Sequence, residues 1–280
     1  MQHSKAKLYK LLIVIVLIGH CALFAKVVDK GVQFGDPLAF LAQASAVIDG
    51  DIERYVNDNS FIVENSFRIL GPIAYNWGMP LVLSGVQHFF GLNITAMKFA
   101  NCILFIIALA MFGGWVRERL GFVGVGLVIW LATHPVLFIY ENWLLADHAF
   151  LSVSIICLLG FRKLASIWRK NQISCDKFVA ITSILALAPI TFRLNGVVVT
   201  IAIAMSVICM ILQDLHYDRS LLRSRLLLLL KLSSISLALI VIWRSQFPFG
   251  GLLPLQRSSP LVPFKIMDGL MYYATASKDF

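Results

Sequence analysis

The sequence predicts an all-α polytopic membrane protein, and three observations carry that expectation. The 280 residues are 59% apolar and 14% charged, with a mean hydropathy of +0.82; a soluble domain averages about 45–50% apolar and about 25% charged. The excess is gathered into blocks long enough to cross a bilayer. The basic residues behind the formal charge of +9 sit in short loops between those blocks, where Lys and Arg orient a protein in a membrane rather than bind nucleic acid.

Spans are expected at residues 9–28, 95–116, 121–140, 146–165, 178–192, 196–213 and 226–243. The first follows Lys5, Lys7 and Lys10 and mimics a signal peptide. Cleavage after Ala25 would put Leu23 where a small residue is wanted, and His20 before Cys21 spoils a lipoprotein signal, so an uncleaved span is expected. The apolar run 178–213 is split at Arg193-Leu194-Asn195-Gly196, because an unpaired Arg and Asn at mid-membrane would be costly.

Segment 71–91 is also long enough to span, but Asn76, Pro80, Ser84 and Gln87/His88 share one helical stripe. An amphipathic helix lying flat accounts for that pattern, and the Lys/Arg bias agrees. With 71–91 flat, the basic loops 1–10, 117–120, 162–177 and 214–231 all face the cytoplasm. The outer loop 26–94 then holds four basic and seven acidic residues. About seven transmembrane helices follow, with the N-terminus cytoplasmic and the C-terminus periplasmic. Residues 1–243 form one transmembrane module. Its first outer loop, 29–94, carries interfacial helices at 37–49 and 72–90 joined by a polar connector, Asp51–Arg68. Residues 244–280 form a Pro/Gly-rich tail at the outer face.

This topology puts Asp36, Glu141, Asp147, His148 and Arg193 at span ends on one side. Ionisable groups there are expensive unless they pair or line a wet cavity. Acids beside one Arg suit a phosphate-bearing lipid substrate, a carboxylate taking a proton and the guanidinium holding the phosphate. Each residue also has a plainer reading. Asp36-Pro37 is a common N-cap pair, Asp147 can cap the next span, Glu141 can be solvated, His148 can be a loop residue and Arg193 can snorkel. Trp77, Trp130 and Trp143 suit the interface or packing. Of the five cysteines, Cys21, Cys102, Cys157 and Cys209 lie in apolar segments and suit small buried residues. Walker, GxSxG, HExxH and paired CxxC motifs are absent from the sequence. Asn93-Ile94-Thr95 matches a glycosylation sequon set against a span.

A run of weak motifs in order gives the chain a resemblance. Gly35-Asp36-x-x-x-Phe40-Leu41-x-x-Ala44 follows the first span, then Pro72-x-x-Tyr75-x-Trp77 and Phe90-Gly91-Leu92-Asn93. His134-Pro135, Leu144-Leu145-Ala146-Asp147 and Thr191-Phe192-Arg193-Leu194-Asn195-Gly196 complete it. Over residues 8–243 this resembles the amino-terminal module of GT-C membrane glycosyltransferases, the protein O-mannosyltransferase and aminoarabinose transferase-like superfamily. The resemblance implies transfer of a sugar from a polyprenyl-phosphate donor to a lipid, polysaccharide or protein acceptor at the outer face of a bacterial inner membrane. Asp36 would be the general base, and Asp147 would shape the site. Arg193 and Arg68 would hold the donor phosphate, with Tyr75, Trp77, Glu141 and His148 binding substrate. No cofactor or metal ligand set is implied. Phe40 stands where relatives often have Tyr, and Gly71-Pro72-Ile73 lacks the Lys-Pro-Pro of some relatives. The chain ends at Phe280 where relatives continue. Three expectations stay open: a compact member, a truncated inactive transferase, or one half of a complex whose partner subunit supplies further spans. The alternative from another class is a non-enzymatic membrane protein, a flippase-like transporter or assembly partner.

Overall fold

In a bilayer every backbone N–H and C=O must be satisfied within its own segment, so apolar blocks of this length fold as helices. The computed structural model has eleven α-helices and describes residues 2–31, 36–65, 74–217 and 219–247. The helices are α1 (Gln2–Val27), α2 (Asp36–Asp49), α3 (Ile52–Asn65), α4 (Gly78–Phe90), α5 (Ile94–Leu120), α6 (Phe122–Thr133), α7 (Pro135–Asn142), α8 (Ala146–Arg169), α9 (Cys175–Phe192), α10 (Val197–Tyr217) and α11 (Leu222–Gln246). Six runs are long and apolar enough to cross a membrane: those of α1, α5, α8, α9, α10 and α11. A seventh arises if the bent pair α6–α7 is one span. The fold is that of an all-α polytopic membrane protein.

The seventh span, expected unbroken over 121–140, is bent by 46° between α6 and α7. Pro135 is the cause. It takes the first position of α7, and His134 before it is extended at φ −70°, ψ 119°, because a residue preceding proline is disfavoured in the helical region. The split at 193–196 is present as a 3-10 turn, Leu194–Gly196.

Within segment 71–91 the described helix is too short to cross a membrane by itself. α4 has 13 residues, about 20 Å at ~1.5 Å each, against a hydrocarbon core of ~30 Å. It begins at Gly78, with Ala74–Trp77 non-helical, rather than at residue 72. Its polar stripe is largely turned to protein: Pro80 and Ser84 are buried against α2, and Gln87 Nε2 donates to Ser45 Oγ at 3.2 Å. The exposed side carries Phe89 and Phe90 instead. The connector 51–68 is also different, since Ile52–Asn65 forms α3. Asn93 of the sequon caps α5, its side chain accepting from the Ala96 N–H at 3.0 Å.

Helices α5, α8 and α9 form the centre, α8 packing on both of the others. α1 and α6 lie against α5, α10 and α11 lie against α9, and the α2–α4 pair touches α5 and α9 through α4. One end of the bundle therefore collects α2–α4, the ends of α1, α7, α9 and α11, and the starts of α5 and α8.

Candidate functional site

Asp36 opens α2 and accepts a 2.5 Å hydrogen bond from the Tyr75 hydroxyl at its Oδ1. Two contacts hold Tyr75. Gln43, fully buried on α2, donates to the Tyr75 carbonyl and accepts its N–H, both at 3.0 Å. Phe40 meets the Tyr75 ring edge-on, with centroids 5.0 Å apart. Both Phe40 and Gln43 lie near Asp36 on the face of α2 turned to α4. Burial, and next the Asp36 carboxylate, push the Tyr75 phenol well above its ordinary value, while the Arg193 charge pulls the other way. The Tyr75 hydroxyl donates to one Asp36 oxygen and so aims that carboxylate.

Arg193 ends α9 and forms an ion pair with Asp147 in the first turn of α8. The pair is half-exposed, 40% and 47% for the two side chains, so it contributes little to stability and is open to exchange. Asp147 does not cap α8; the N-cap is Leu145, with no side-chain bond. Two glycines bring α9 to this place. At Gly78 a Cβ would lie 2.7 Å from Thr191, and at Gly196 one would lie 2.3 Å from Pro189. Only glycine lets α4 abut the end of α9 and the 3-10 turn fold back on it. Asn76 adds a bond from Nδ2 to the Ile190 carbonyl at 3.3 Å. Asp36, Tyr75, Arg193 and Asp147 thus form one neighbourhood, in which the Tyr75 hydroxyl senses both Asp36 and Arg193. Beside it, an apolar cavity of about 260 Å³ opens between α9 and α11, lined by Ile190, Thr191, Leu239 and Trp243 among others.

No protein-family model, curated protein or solved structure matches this chain.

The geometry separates the remaining candidates. Glu141 and His148 are buried away from Arg193, in contact with α1 and α5: Glu141 lies 3.1 Å from His20, and His148 packs on the Phe105 ring at 4.6 Å. His148 and Asp147 are neighbours in sequence, but α8 turns one inward and the other outward. Trp77 is fully buried among Tyr55, Val56 and Phe247 and presents no face to a substrate here. Arg68 lies outside the described residues, as do Gly35 of the first motif and Pro72 of the second.

Two groups of polar residues escaped the sequence reading. Lys98, fully buried, pairs with Asp29 and donates to the Gly31 carbonyl at 2.7 Å. Asn142 Nδ2 donates to Asp29 Oδ2 at 3.1 Å. This clamp fixes the loop from α1 toward Asp36 onto α5 and α7. Its Lys holds the Asp29 carboxyl below its usual range. The second group is His20, Asn101 and Cys102. A signal for both was present: Lys98, Asn101, Cys102, Phe105 and Leu109 follow i, i+3, i+4, i+7 spacing, and all line one buried stripe of α5. Polar residues on a span's inner stripe are functional candidates by default.

Proposed function

We propose that this protein is a GT-C-type membrane glycosyltransferase that moves a sugar from a polyprenyl-phosphate donor to a lipid, polysaccharide or protein acceptor at the outer face of a bacterial inner membrane. The observation that carries the reading is the Asp36–Tyr75 hydrogen bond set beside the Arg193–Asp147 pair. With Oδ1 occupied by Tyr75, Asp36 Oδ2 is the oxygen left to accept a proton from an acceptor hydroxyl. The acceptor oxygen attacks the anomeric carbon, and the bond from that carbon to the phosphate oxygen breaks. The electron pair departs with polyprenyl phosphate, and the anomeric centre inverts. Arg193 can exchange its exposed carboxylate partner for the donor phosphate, which a guanidinium holds with two parallel N–H bonds. The apolar cavity beginning beside Thr191 suits the prenyl chain of a donor whose phosphate lies at Arg193.

A positioned general base is worth about 10²–10⁴ in rate. Asp36→Asn is therefore expected to lower transfer from polyprenyl-phosphate sugars by at least about 100-fold in membranes containing normal amounts of protein. Undiminished transfer by that variant would remove Asp36 from the chemistry. Absence of transfer by the unaltered chain with every donor tried would favour the assembly-partner reading. That reading draws on α11, whose apolar window is only 6% buried within the protein.

A further inference from the structure

His20 on α1, Cys102 on α5 and Glu141 on α7 meet inside the bundle. One potential ligand atom from each lies within 4.8 Å of the other two, and all three side chains are buried. His20 Nδ1 is 2.7 Å from the Ala132 carbonyl. That carbonyl belongs to the last turn of α6, where acceptors lack helical partners. A carbonyl can only accept, so Nδ1 carries a proton, and in the neutral imidazole Nε2 is the nitrogen that can ligate. Nε2 faces the Glu141 carboxylate at 3.3 Å from Oε1 and 3.1 Å from Oε2, and Oε2 has no hydrogen-bond partner. With the imidazole neutral, Nε2, a carboxylate oxygen and Cys102 Sγ are three donor atoms converging on one buried point. The main-chain bond on the far nitrogen is the support that metal-binding histidines typically have.

From this arrangement we infer that His20, Cys102 and Glu141 bind a divalent transition-metal ion of zinc type. The donor set of imidazole nitrogen, thiolate and carboxylate is one zinc accepts. Tetrahedral bonds of about 2.0–2.3 Å place ligand atoms roughly 3.3–3.6 Å apart; His20 Nε2 and the Glu141 oxygens are already at 3.1 and 3.3 Å, and all three ligand atoms lie within 4.8 Å of one another. Charge favours the same assignment. One carboxylate, one thiolate and one divalent cation sum to zero, so the complex avoids leaving a lone charge in a low-dielectric interior. His148 is the polar group nearest to spare. It is 1% exposed, neither nitrogen has a partner, and it shares the Phe105 ring with His20. The ion would tie α1, α5 and α7 together at the break made by Pro135. This site involves neither Asp36 nor Arg193 and does not rest on the transferase reading.

The test uses the full chain purified in detergent under reducing conditions, stripped with chelator and reloaded with zinc alone or cobalt alone. About one zinc per chain is expected, together with a near-ultraviolet thiolate-to-cobalt charge-transfer band. Cys102→Ser should abolish the band and His20→Ala the bound zinc. Cys157→Ser, at a buried cysteine on α8, and Asp36→Asn should change neither. To cover variants that fail to fold, alkylation of Cys102 in the unaltered chain is followed with and without zinc; protection of about tenfold or more is expected. Failure of the unaltered chain to take up zinc or to show the band overturns the inference. So does retention of zinc by a Cys102→Ser/His20→Ala double variant, or the same alkylation rate with and without zinc.

Discussion

Tyr75 and Asp29 show how single side chains set the chemistry at this end of the bundle. Tyr75 orients Asp36 without being able to replace it, so Tyr75→Phe should retain transfer but lower it by about tenfold, the cost of one hydrogen bond to a charged group. Equal losses for Tyr75→Phe and Asp36→Asn would mean that the two act as one unit. Asp29 gives a pH dependence with a definite sign. Its folded value lies below the ordinary 3.8, chiefly through Lys98. The clamp therefore contributes fully above the unfolded value and is lost as pH falls through the lower folded one. Amide exchange at residues 28–31 should be slow and unchanging from pH 7 to about 5 once corrected for intrinsic rates, and should accelerate only below the usual carboxylate range. In Lys98→Met, whose Asp29 has lost its partner, it should be fast throughout.

At the scale of elements, glycine and proline decide where helices meet. Gly196 lets the 3-10 turn sit on Pro189. Gly196→Ala should cost about 1–3 kcal/mol through overpacking, read as a lower melting temperature, and should separate Arg193 from Asp147. An unchanged melting temperature would show that the turn has room the geometry denies. Pro135 works differently: by ending α6 it leaves the Ala132 carbonyl to His20. The proline was visible in the sequence as His134-Pro135, but its consequence required α1 to lie against α6. The 71–91 segment is a similar case. Its polar stripe was legible, yet much of that stripe packs on α2 rather than facing water, because Gln87 finds Ser45 there.

For the whole molecule, the end of the bundle holding Asp36, Tyr75, Arg193 and Asp147 lies opposite the ends rich in Arg and Lys. Arg162, Arg169, Arg225 and Lys231 pair or stack at that other end. We propose, from the positive-inside rule, that the basic end is cytoplasmic. A reporter inserted between Lys170 and Ser174 should then score as cytoplasmic and one at Gly50 as periplasmic. The reverse pattern would place the candidate site on the cytoplasmic side and exclude an outer-face acceptor.

Composition and the placement of apolar blocks along the chain determined the helical membrane class and the approximate limits of the apolar helices. These follow from the cost of exposing backbone and charge to lipid, a cost summed over local sequence. The pairing of Asp36 with Tyr75 and of Arg193 with Asp147 depended on which helix faces meet. So did the diversion of Glu141 and His148 to a buried group with His20 and Cys102. Residues 39 and 46 positions apart form those first two pairs, and 121 separate His20 from Glu141. Contacts over such separations are selected by packing of the whole bundle, so the tertiary structure alone decided them.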